Sequence, residues 1–324
     1  MKLTVLSVPY HLGREGAGMA LGPGRYLEAG LAARLAARGH EVEVVEIRRP
    51  APFENELQAV VAVNGALADA VQAAGARGAL PVVAGGNCNV ALGMTAGIGA
   101  GETAVVWFDA HGDYNTPATT PSGFLDGMPL AIACGVAHPE AWALARGDAV
   151  DPRACVHAGG RDLDPGELEG FAATGVQVVG VEALHGGGSR GDAGAGVKGG
   201  EGATGGSESE SGHAGGDLGG GGEGGLEAAL AAVRAAAPRA ARAYVHVDLD
   251  VLDPVFVPGV DFPSPGGLTP DALVDAVATV PARIPVAGLS VTAYDPERDD
   301  PAGTTRATGL DLIERLVDTV AAAR

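Results

Sequence analysis

A short acidic motif carries the residue types of a metal site. The segment WFDAHGDYN places Asp109, His111 and Asp113 at alternate positions directly after an apolar run, residues 103–108. In an extended segment alternate side chains share a face, so we expect two carboxylates and an imidazole to point the same way at the end of a buried strand. Buried carboxylates are costly unless they are paired or bound to a cation. The motif therefore indicates metal binding.

A second motif repeats this design. The segment YVHVDLDVLDP, residues 244–254, puts Asp248 and Asp250 two positions apart at the end of another β-rich run. If both runs are strands of one parallel sheet, the two motifs meet at its carboxyl edge, where such sheets bind ligands. The alternative interpretation of each motif taken singly is a solvated polar strand end or an acidic turn.

Alternating strand-like and helix-like segments are expected to position these motifs. Strands are predicted at residues 2–8, 41–47, 80–84, 103–108, 154–158, 176–180, 243–247 and 286–291, and the clearest helices at residues 24–38, 54–74, 271–279 and 310–323. Strands that alternate with helices imply a parallel sheet covered on both faces. The prediction is one α/β domain over residues 1–324.

Composition limits the compartment and the partners. The chain has 324 residues and a net charge of -19, which argues against nucleic acid or an anionic membrane surface as a partner. The three cysteines, Cys88, Cys134 and Cys155, are unpatterned, so no disulfide framework is expected. No segment offers about 18 uninterrupted apolar residues, and residues 1–9 lack the pattern of a secretion signal. We expect a cytoplasmic enzyme without membrane or nucleic-acid partners.

One segment departs from the strand and helix pattern. In residues 186–225 half of the chain is glycine, and most of the rest is Ser, Glu, Asp, Ala or Thr. Such a composition cannot bury enough surface to offset the entropy of ordering it. We expect a disordered surface insertion, with loop expansion favoured over a partner tether because the entropy of loop closure grows slowly with length.

Four motifs in order carry a resemblance to a known family. They are GGNCNVALG (85–93), DAHGDYNTPATTPSG (109–123), GRDLDPGE (160–167) and DLDVLDP (248–254). Together they resemble the arginase, agmatinase and formiminoglutamase family of ureohydrolases over nearly the whole chain, and GAGMALGP (16–23) is similar to the loop after that family's first strand. The resemblance implies a three-layer α/β/α domain, a site for two Mn²⁺ ions that hydrolyses guanidino or amidine groups, and a homo-oligomer, either a trimer or a hexamer.

The implied chemistry suits these residue types. A guanidinium carbon is resonance-stabilised, so a hydroxide must be generated near neutral pH and held against it, as two neighbouring divalent ions can do. By the family pattern, Asp109 and Asp248 would bridge the two ions, His111 and Asp250 would complete one, and Asp113 and Cys88 would complete the other. Ligation rich in oxygen with one imidazole favours Mn²⁺ over softer metals.

Two departures from the family pattern affect this scheme. Asn87 and Cys88 stand where the family has Asp-His, so a thiol replaces an imidazole. As a ligand the thiolate would shift preference toward zinc or iron; the alternative is that Cys88 is a small buried filler. Asp126 stands where arginases carry a histidine that shuttles protons. It could relay a proton if burial raises its pKa, and the alternative is a capping or solvated loop aspartate.

The resemblance extends to only part of the residues with which the family binds its substrate. Asn115 and Ser122 match positions that bind a substrate carboxylate, whereas Phe124 replaces a polar residue there. Asp164 and Glu167 match positions that hold the α-amino group, and two carboxylates one turn apart make a plausible ammonium clamp. The sequence DPGE also starts helices, with Asp164 as the cap and Glu167 closing the turn, and the two roles are compatible.

A last departure concerns the substrate's charge. Ala293 stands where the family places a glutamate that pairs with the guanidinium, and losing such a partner weakens the binding of arginine itself. Three functions therefore stay open. The first is an amidinohydrolase acting on a guanidino amino acid, with Asp113 and Asp126 as the expected catalytic residues. The others are a hydrolase of N-hydroxylated guanidines and a catalytically silent metal-binding homologue.

Overall fold

Eight parallel strands form a single sheet in the computed structural model, which describes residues 1–48, 53–142, 148–185 and 225–324. The strand order is β2-β1-β3-β8-β7-β4-β5-β6, so the last strand of the chain lies between β3 and β7. The strands are β1 (Lys2–Val8), β2 (Glu41–Glu46), β3 (Leu80–Gly85), β4 (Thr103–Phe108), β5 (Cys155–Ala158), β6 (Gln177–Val179), β7 (Arg242–Asp248) and β8 (Val286–Thr292). All eight predicted strands are present, and every strand end lies within one residue of its predicted position.

Helices connect the strands within the described ranges. They are α1 (Gly22–Glu28), α2 (Leu31–Ala37), α3 (Glu56–Ala76), α4 (Val90–Ile98), α5 (Pro129–Ala133), α6 (Pro165–Thr174), α7 (Val181–Leu184), α8 (Gly225–Ala236), α9 (Pro270–Ala278) and α10 (Thr304–Ala322). The predicted insertion at residues 186–225 lies outside the described residues, except for Gly225, which begins α8.

The sheet separates two hydrophobic layers. Along β4, Val105 and Trp107 belong to one buried cluster, and Val106 and Phe108 belong to the other. Helices α3 to α6 cover the first face, and α1, α2, α8, α9 and α10 cover the second. Strands buried on both faces are typical of parallel sheets. The fold is therefore the expected α/β fold, with the sheet between two helical layers.

Of the predicted helices, one is broken in two and another is long and apolar. Residues 24–38 were expected to form one helix, but the structure has two, because Gly30 takes a left-handed backbone (φ 87°) between α1 and α2. Helix α3 is long and apolar enough to cross a membrane by length and composition alone. Its residues Val60, Val63 and Leu67 instead pack in the hydrophobic cluster over the sheet, as in a core helix.

The loops that follow the strands are drawn together at the carboxyl edge. A Cβ atom on Gly86 would lie 2.2 Å from the carbonyl oxygen of Tyr10, so only glycine fits where the loop after β3 crosses the loop after β1. The Gly86 carbonyl also accepts a hydrogen bond from Ala293 N at 3.2 Å, beyond the end of β8. These contacts bring Cys88 and Ala293 to the same edge of the sheet.

Candidate metal centre and substrate pocket

One pocket of about 190 Å³ opens at this carboxyl edge. The residues that line it include every residue predicted from the sequence to bind metal or substrate or to act in catalysis: Cys88, Asp109, His111, Asp113, Asn115, Ser122, Asp126, Asp164, Glu167, Asp248 and Asp250. They come from the loops after β3, β4, β5 and β7, so the parallel topology has assembled them from four distant parts of the chain.

The first donor group consists of Asp109, His111 and Asp250. Their ligand atoms lie within 4.8 Å of one another, and His111 Nδ1 is 2.9 Å from Asp250 Oδ2. The backbone orients the carboxylates, since Ala110 N donates to Asp250 Oδ1 at 3.0 Å and His111 N donates to Asp109 Oδ1 at 2.8 Å. Two carboxylates and one imidazole could hold a divalent cation here.

The second donor group shares Asp109 and adds Cys88 and His246, again with ligand atoms within 4.8 Å of one another. All three residues are buried. Cys88 Sγ lies 2.8 Å from Asp248 Oδ2, so that carboxylate borders the group as well. Sulfur, nitrogen and oxygen donors therefore meet here, and of the three residues Cys88 and Asp109 line the pocket.

Asp113 does not continue an extended strand, contrary to the geometry expected for alternate residues. Strand β4 ends at Phe108, and Asp113 has a left-handed backbone with φ 52°. Gly112 is required next to it, because a Cβ atom there would lie 2.6 Å from the Glu167 carboxyl carbon. The Asp113 carboxylate still faces the pocket, and its Oδ2 is buried without a hydrogen-bond partner among the described residues.

The electrostatics of the site favour a bound cation. Burial, together with repulsion from Asp250, raises the pKa of Asp109 to about 7. Burial and neighbouring carboxylates also raise the pKa values of Asp113 and Asp248 well above the usual range. Burial disfavours the charged imidazole of His111, but the carboxylates around it outweigh that effect and raise its pKa. Divalent ions would neutralise this crowding and give Asp113 Oδ2 a partner, so the residues present fit a metal centre.

Asp126 lies in the same pocket but outside both donor groups. Asn89 Nδ2 donates to its Oδ1 at 2.8 Å, and His11 Nε2 is 3.9 Å from its Oδ2. Burial raises the pKa of Asp126 to about 7, although the hydrogen bond from Asn89 and the nearby amide of Asn87 oppose the shift. A carboxyl group with a pKa near the working pH can both give and take a proton.

The predicted substrate residues differ in how freely they face the pocket. Both Glu167 oxygens accept backbone hydrogen bonds, from Tyr114 N at 3.0 Å and from Asp164 N at 2.9 Å, so the expected helix-capping role is present. Asp164 Oδ2 accepts a hydrogen bond from Asn115 Nδ2 at 2.8 Å, while Ser122 is exposed at the rim. Of the two carboxylates, Asp164 is the more available to a ligand.

The pocket mouth is more aromatic than the sequence motifs indicated. Phe262 is 53% exposed, its ring centroid lies 5.9 Å from that of Phe124, and it packs edge-on to His111 at 6.2 Å. Ala293 lines the pocket with φ 68°, and its methyl group leaves the position without a carboxylate. Apolar surface therefore borders the place where the site meets solvent.

Sequence reasoning missed two residues that shape the site. His246 shares a strand face with Tyr244 and Asp248, and this alternation within YVHVDLD was the available signal. Arg161 donates to the carbonyl oxygens of Asp250 and Ser264, at 2.6 Å each, and so fixes the loop after β7. Nothing in the motif GRDLDPGE indicated that its arginine would bind backbone.

Comparison with known proteins places this fold and pocket in one class. The family model described as the arginase family matches residues 1–192 and 222–318. The chain therefore belongs to the arginase family, which confirms the resemblance seen in the sequence motifs.

Individual relatives show the extent of this similarity. The chain is 32% identical over 189 residues to an arginase from Bacillus caldovelox and 34% identical over 188 residues to an arginase from Bacillus subtilis (strain 168). Each alignment covers 54% of this chain and 63% of the relative, so the chain spans less than two thirds of the length of these relatives. The crystal structure of arginase from Bacillus subtilis superimposes with a TM-score of 0.75 and 26% identity over 98% of both chains.

Proposed function

We propose that this chain is a binuclear metal-dependent amidinohydrolase that hydrolyses the guanidino group of an amino-acid-like substrate. The observation that supports this most is the convergence of four buried aspartates, Asp109, Asp113, Asp248 and Asp250, with His111 in one pocket. So many buried carboxylates are unfavourable without cations. Membership of the arginase family and the match to arginases from two bacilli point to the same reaction class.

The proposed metal-binding residues would form two neighbouring ion sites. Asp109, His111 and Asp250 would hold one ion, for which we propose Mn²⁺ because this group is rich in oxygen. Cys88, Asp113 and Asp248 would contribute to the other. When bound, two such ions supply a nucleophile from water near neutral pH and polarise the guanidino carbon.

The remaining pocket residues have roles in proton transfer and binding. Asp126 sits beside the donor groups with a pKa raised to about 7, so it can pass a proton to the departing amine. Asn115 and Ser122 would orient a substrate carboxylate, and Asp164, with Glu167 fixed behind it, would attract an α-ammonium group. In this proposal Glu167 positions Asp164 through the Asp164 N–H.

A second candidate is hydrolysis of an N-hydroxylated or otherwise weakly basic guanidine. It is favoured by Ala293, which lines the pocket and offers no negative charge to a guanidinium. Arginine is charged at any working pH and would meet two cations without that partner. A less basic guanidine avoids much of this repulsion. The two candidates share the metal centre and differ only in substrate.

A substrate screen tests this proposal. The protein is stripped of metal, reloaded with Mn²⁺, and assayed for urea or substituted urea from arginine, an N-hydroxyguanidino amino acid and a guanidino amine without a carboxylate. We expect release from at least one guanidino amino acid, and none from the stripped protein. The Asp113→Asn variant is the matched control, because it keeps the pocket shape and loses a ligand. Bound metal without turnover of any of these compounds would instead support the catalytically silent homologue.

A further inference from the structure

The two donor groups of the pocket are chemically unlike. The group of Asp109, His111 and Asp250 offers two carboxylates and one imidazole, and His111 is 28% exposed. The group of Cys88, Asp109 and His246 offers a thiol, a carboxylate and an imidazole, all of them buried. Thiolate and imidazole donors prefer borderline metals such as Zn²⁺, Co²⁺ and Fe²⁺, whereas carboxylate-rich sites suit Mn²⁺.

His246 is oriented as a ligand rather than as core filler. Its Nδ1 lies 2.8 Å from Ser290 Oγ and 2.9 Å from Tyr244 OH, while among the described residues its Nε2 has only a long contact, 3.5 Å, to Thr292 Oγ1. Metal-ligating histidines hold one ring nitrogen in such a hydrogen bond and present the other to the metal. Thr292 Oγ1 is also 3.2 Å from Cys88 Sγ, so the two soft donors flank the same hydroxyl.

The imidazole ring of His246 is fixed by stacking against Trp107. The Trp107 indole stacks on it, with centroids 3.7 Å apart and an interplanar angle of 19°. The same indole donates its N–H to Asp109 Oδ2 at 3.0 Å, while Asp109 Oδ1 accepts from His111 N. The two oxygens of Asp109 are thus engaged on two sides, one by the residue that stacks on His246 and one by the first donor group.

We propose that the centre is a mixed-metal site in which His246 is a ligand. Cys88, His246, Asp109 and Asp248, together with the Asp113 of the proposed function, bind a borderline divalent ion of the Zn²⁺, Co²⁺ or Fe²⁺ type in the buried donor group, and Asp109 links it to the harder ion held by His111 and Asp250. This inference rests on the proposed function for the presence of two ions. It goes further by assigning His246 as the nitrogen ligand of the ion that Cys88 binds, and by assigning the type of metal at each position.

Cobalt titration of the metal-free protein tests the assignment. We expect the first equivalent of Co²⁺ to produce a thiolate-to-cobalt charge-transfer absorption, and Mn²⁺ to add afterwards without displacing it. His246→Phe keeps a ring against Trp107 but removes the nitrogen. It is expected to weaken this cobalt site by more than about 100-fold, beyond the roughly 10- to 100-fold loss that follows removal of an outer-shell partner.

Matched controls separate a ligand from a packing residue. Cys88→Ser should abolish the charge-transfer absorption, and Cys134→Ser, a buried thiol outside the pocket, should leave it intact. Should His246→Phe fail to fold, X-ray absorption of the His111→Asn protein loaded with one Zn²⁺ decides instead. One sulfur and one imidazole ligand are expected, because His246 is then the imidazole left in the two donor groups.

The outcomes distinguish this inference from the proposed function. Co²⁺ bound without a thiolate band, an unaffected band and affinity in His246→Phe, or zinc without an imidazole in His111→Asn would each overturn the mixed-metal assignment. Urea release with Mn²⁺ alone could then still support the amidinohydrolase. A folded protein that binds no divalent ion would overturn both.

Discussion

Trp107 donates its indole N–H to Asp109 Oδ2 at 3.0 Å, from two residues earlier on the same chain segment. Side chains two apart at the end of a strand lie on one face, so the buried indole of Trp107 in β4 orients the first carboxylate of the site. This hydrogen bond therefore connects the core of the sheet to the donor groups of the pocket.

We predict that Trp107→Phe weakens divalent metal binding by about 10- to 100-fold, the range found for outer-shell partners of metal ligands. The phenyl ring keeps part of the stack on His246 but cannot hold the Asp109 carboxylate. Trp142→Phe is the matched control, since Trp142 is also buried but donates to the carbonyl of Ile132, away from the pocket. Equal metal affinity in the two variants, measured by calorimetry, would contradict the role given to this bond.

Asp126→Asn should reduce kcat by about 100- to 10,000-fold, the usual contribution of a positioned acid or base. Because Asp126 lies outside both donor groups, the metal content and KM should change little. Asp162→Asn removes a carboxylate from the pocket rim, where the Asp162 side chain is 42% exposed. This variant should reduce kcat far less than Asp126→Asn does. A drop in bound metal that parallels the drop in kcat would mean that Asp126 acts through the ions.

The stability of the metal-free protein should fall as the pH rises through about 7. The folded pKa values of Asp109 and Asp126 are raised to about 7, so the folded state holds protons that the unfolded chain has released, and their loss weakens folding. Between about pH 4 and 6.5 the buried His157 and His246, whose pKa values are lowered to about 4 and about 3, act in the opposite direction and offset much of this effect. The net decline is therefore expected to be clearest just above pH 6.5, where the histidines are neutral in both states.

Thermal unfolding of the stripped and reloaded protein measures this effect. Divalent ions should remove the decline, because they replace the protons on the carboxylates. Asp113→Asn should also reduce it in the stripped protein by removing one buried charge. A stripped protein whose melting temperature rises between pH 6.5 and 8 would show that the carboxylates are stabilised by protein groups instead.

Ala293→Glu should shift substrate preference toward arginine by about 10- to 100-fold, as expected for a new hydrogen bond to a charged group. The relevant quantity is the ratio of kcat/KM for arginine to kcat/KM for an N-hydroxyguanidino amino acid. Ala293→Gly is the control, since it relieves the left-handed backbone (φ 68°) without adding charge, and should leave the ratio unchanged. A ratio unaffected by the glutamate would assign the counter-charge to another residue of the pocket, with Asp126 the first candidate.

Deletion of residues 186–224 should leave folding and metal content nearly unchanged. The flanking elements already meet, because a Cβ atom on Gly225 would lie 3.0 Å from the carbonyl oxygen of Ala183. A short glycine linker can therefore join the ends, and loop-closure entropy depends only weakly on length. Loss of soluble protein, or of bound metal, would show that the deleted segment packs against the domain.

The strands were predictable because their signal is local. Central strands of a parallel sheet are apolar throughout, and the runs at β4 and β7 stand out from the Ala-rich helices around them. The break between α1 and α2 was not predictable in the same way. The apolar spacing of residues 24–38 continues through Gly30, and only the observed left-handed turn separates the helices.

The site was predictable in its composition and less so in its geometry. Asp109, His111 and Asp250 meet as the motifs indicated, because both motifs follow neighbouring strands. The left-handed conformation of Asp113 depends on Gly112 lying against Glu167, a contact across 55 residues that no local pattern encodes. His246 was overlooked because a histidine among the apolar residues of a buried strand is usually interpreted as a residue of the hydrophobic core.

The position of β8 between β3 and β7 affects how the chain folds while it is being synthesised. Until β8 (Val286–Thr292) has been synthesised, β3 has no neighbour on its inner side, and the β4 half of the sheet has no connection to the β1 half. A nascent chain would therefore expose two unpaired apolar strand edges, which are prone to aggregate. Cys88 and Asp109 lie on opposite sides of this gap, so the second donor group can form only after β8 has closed it.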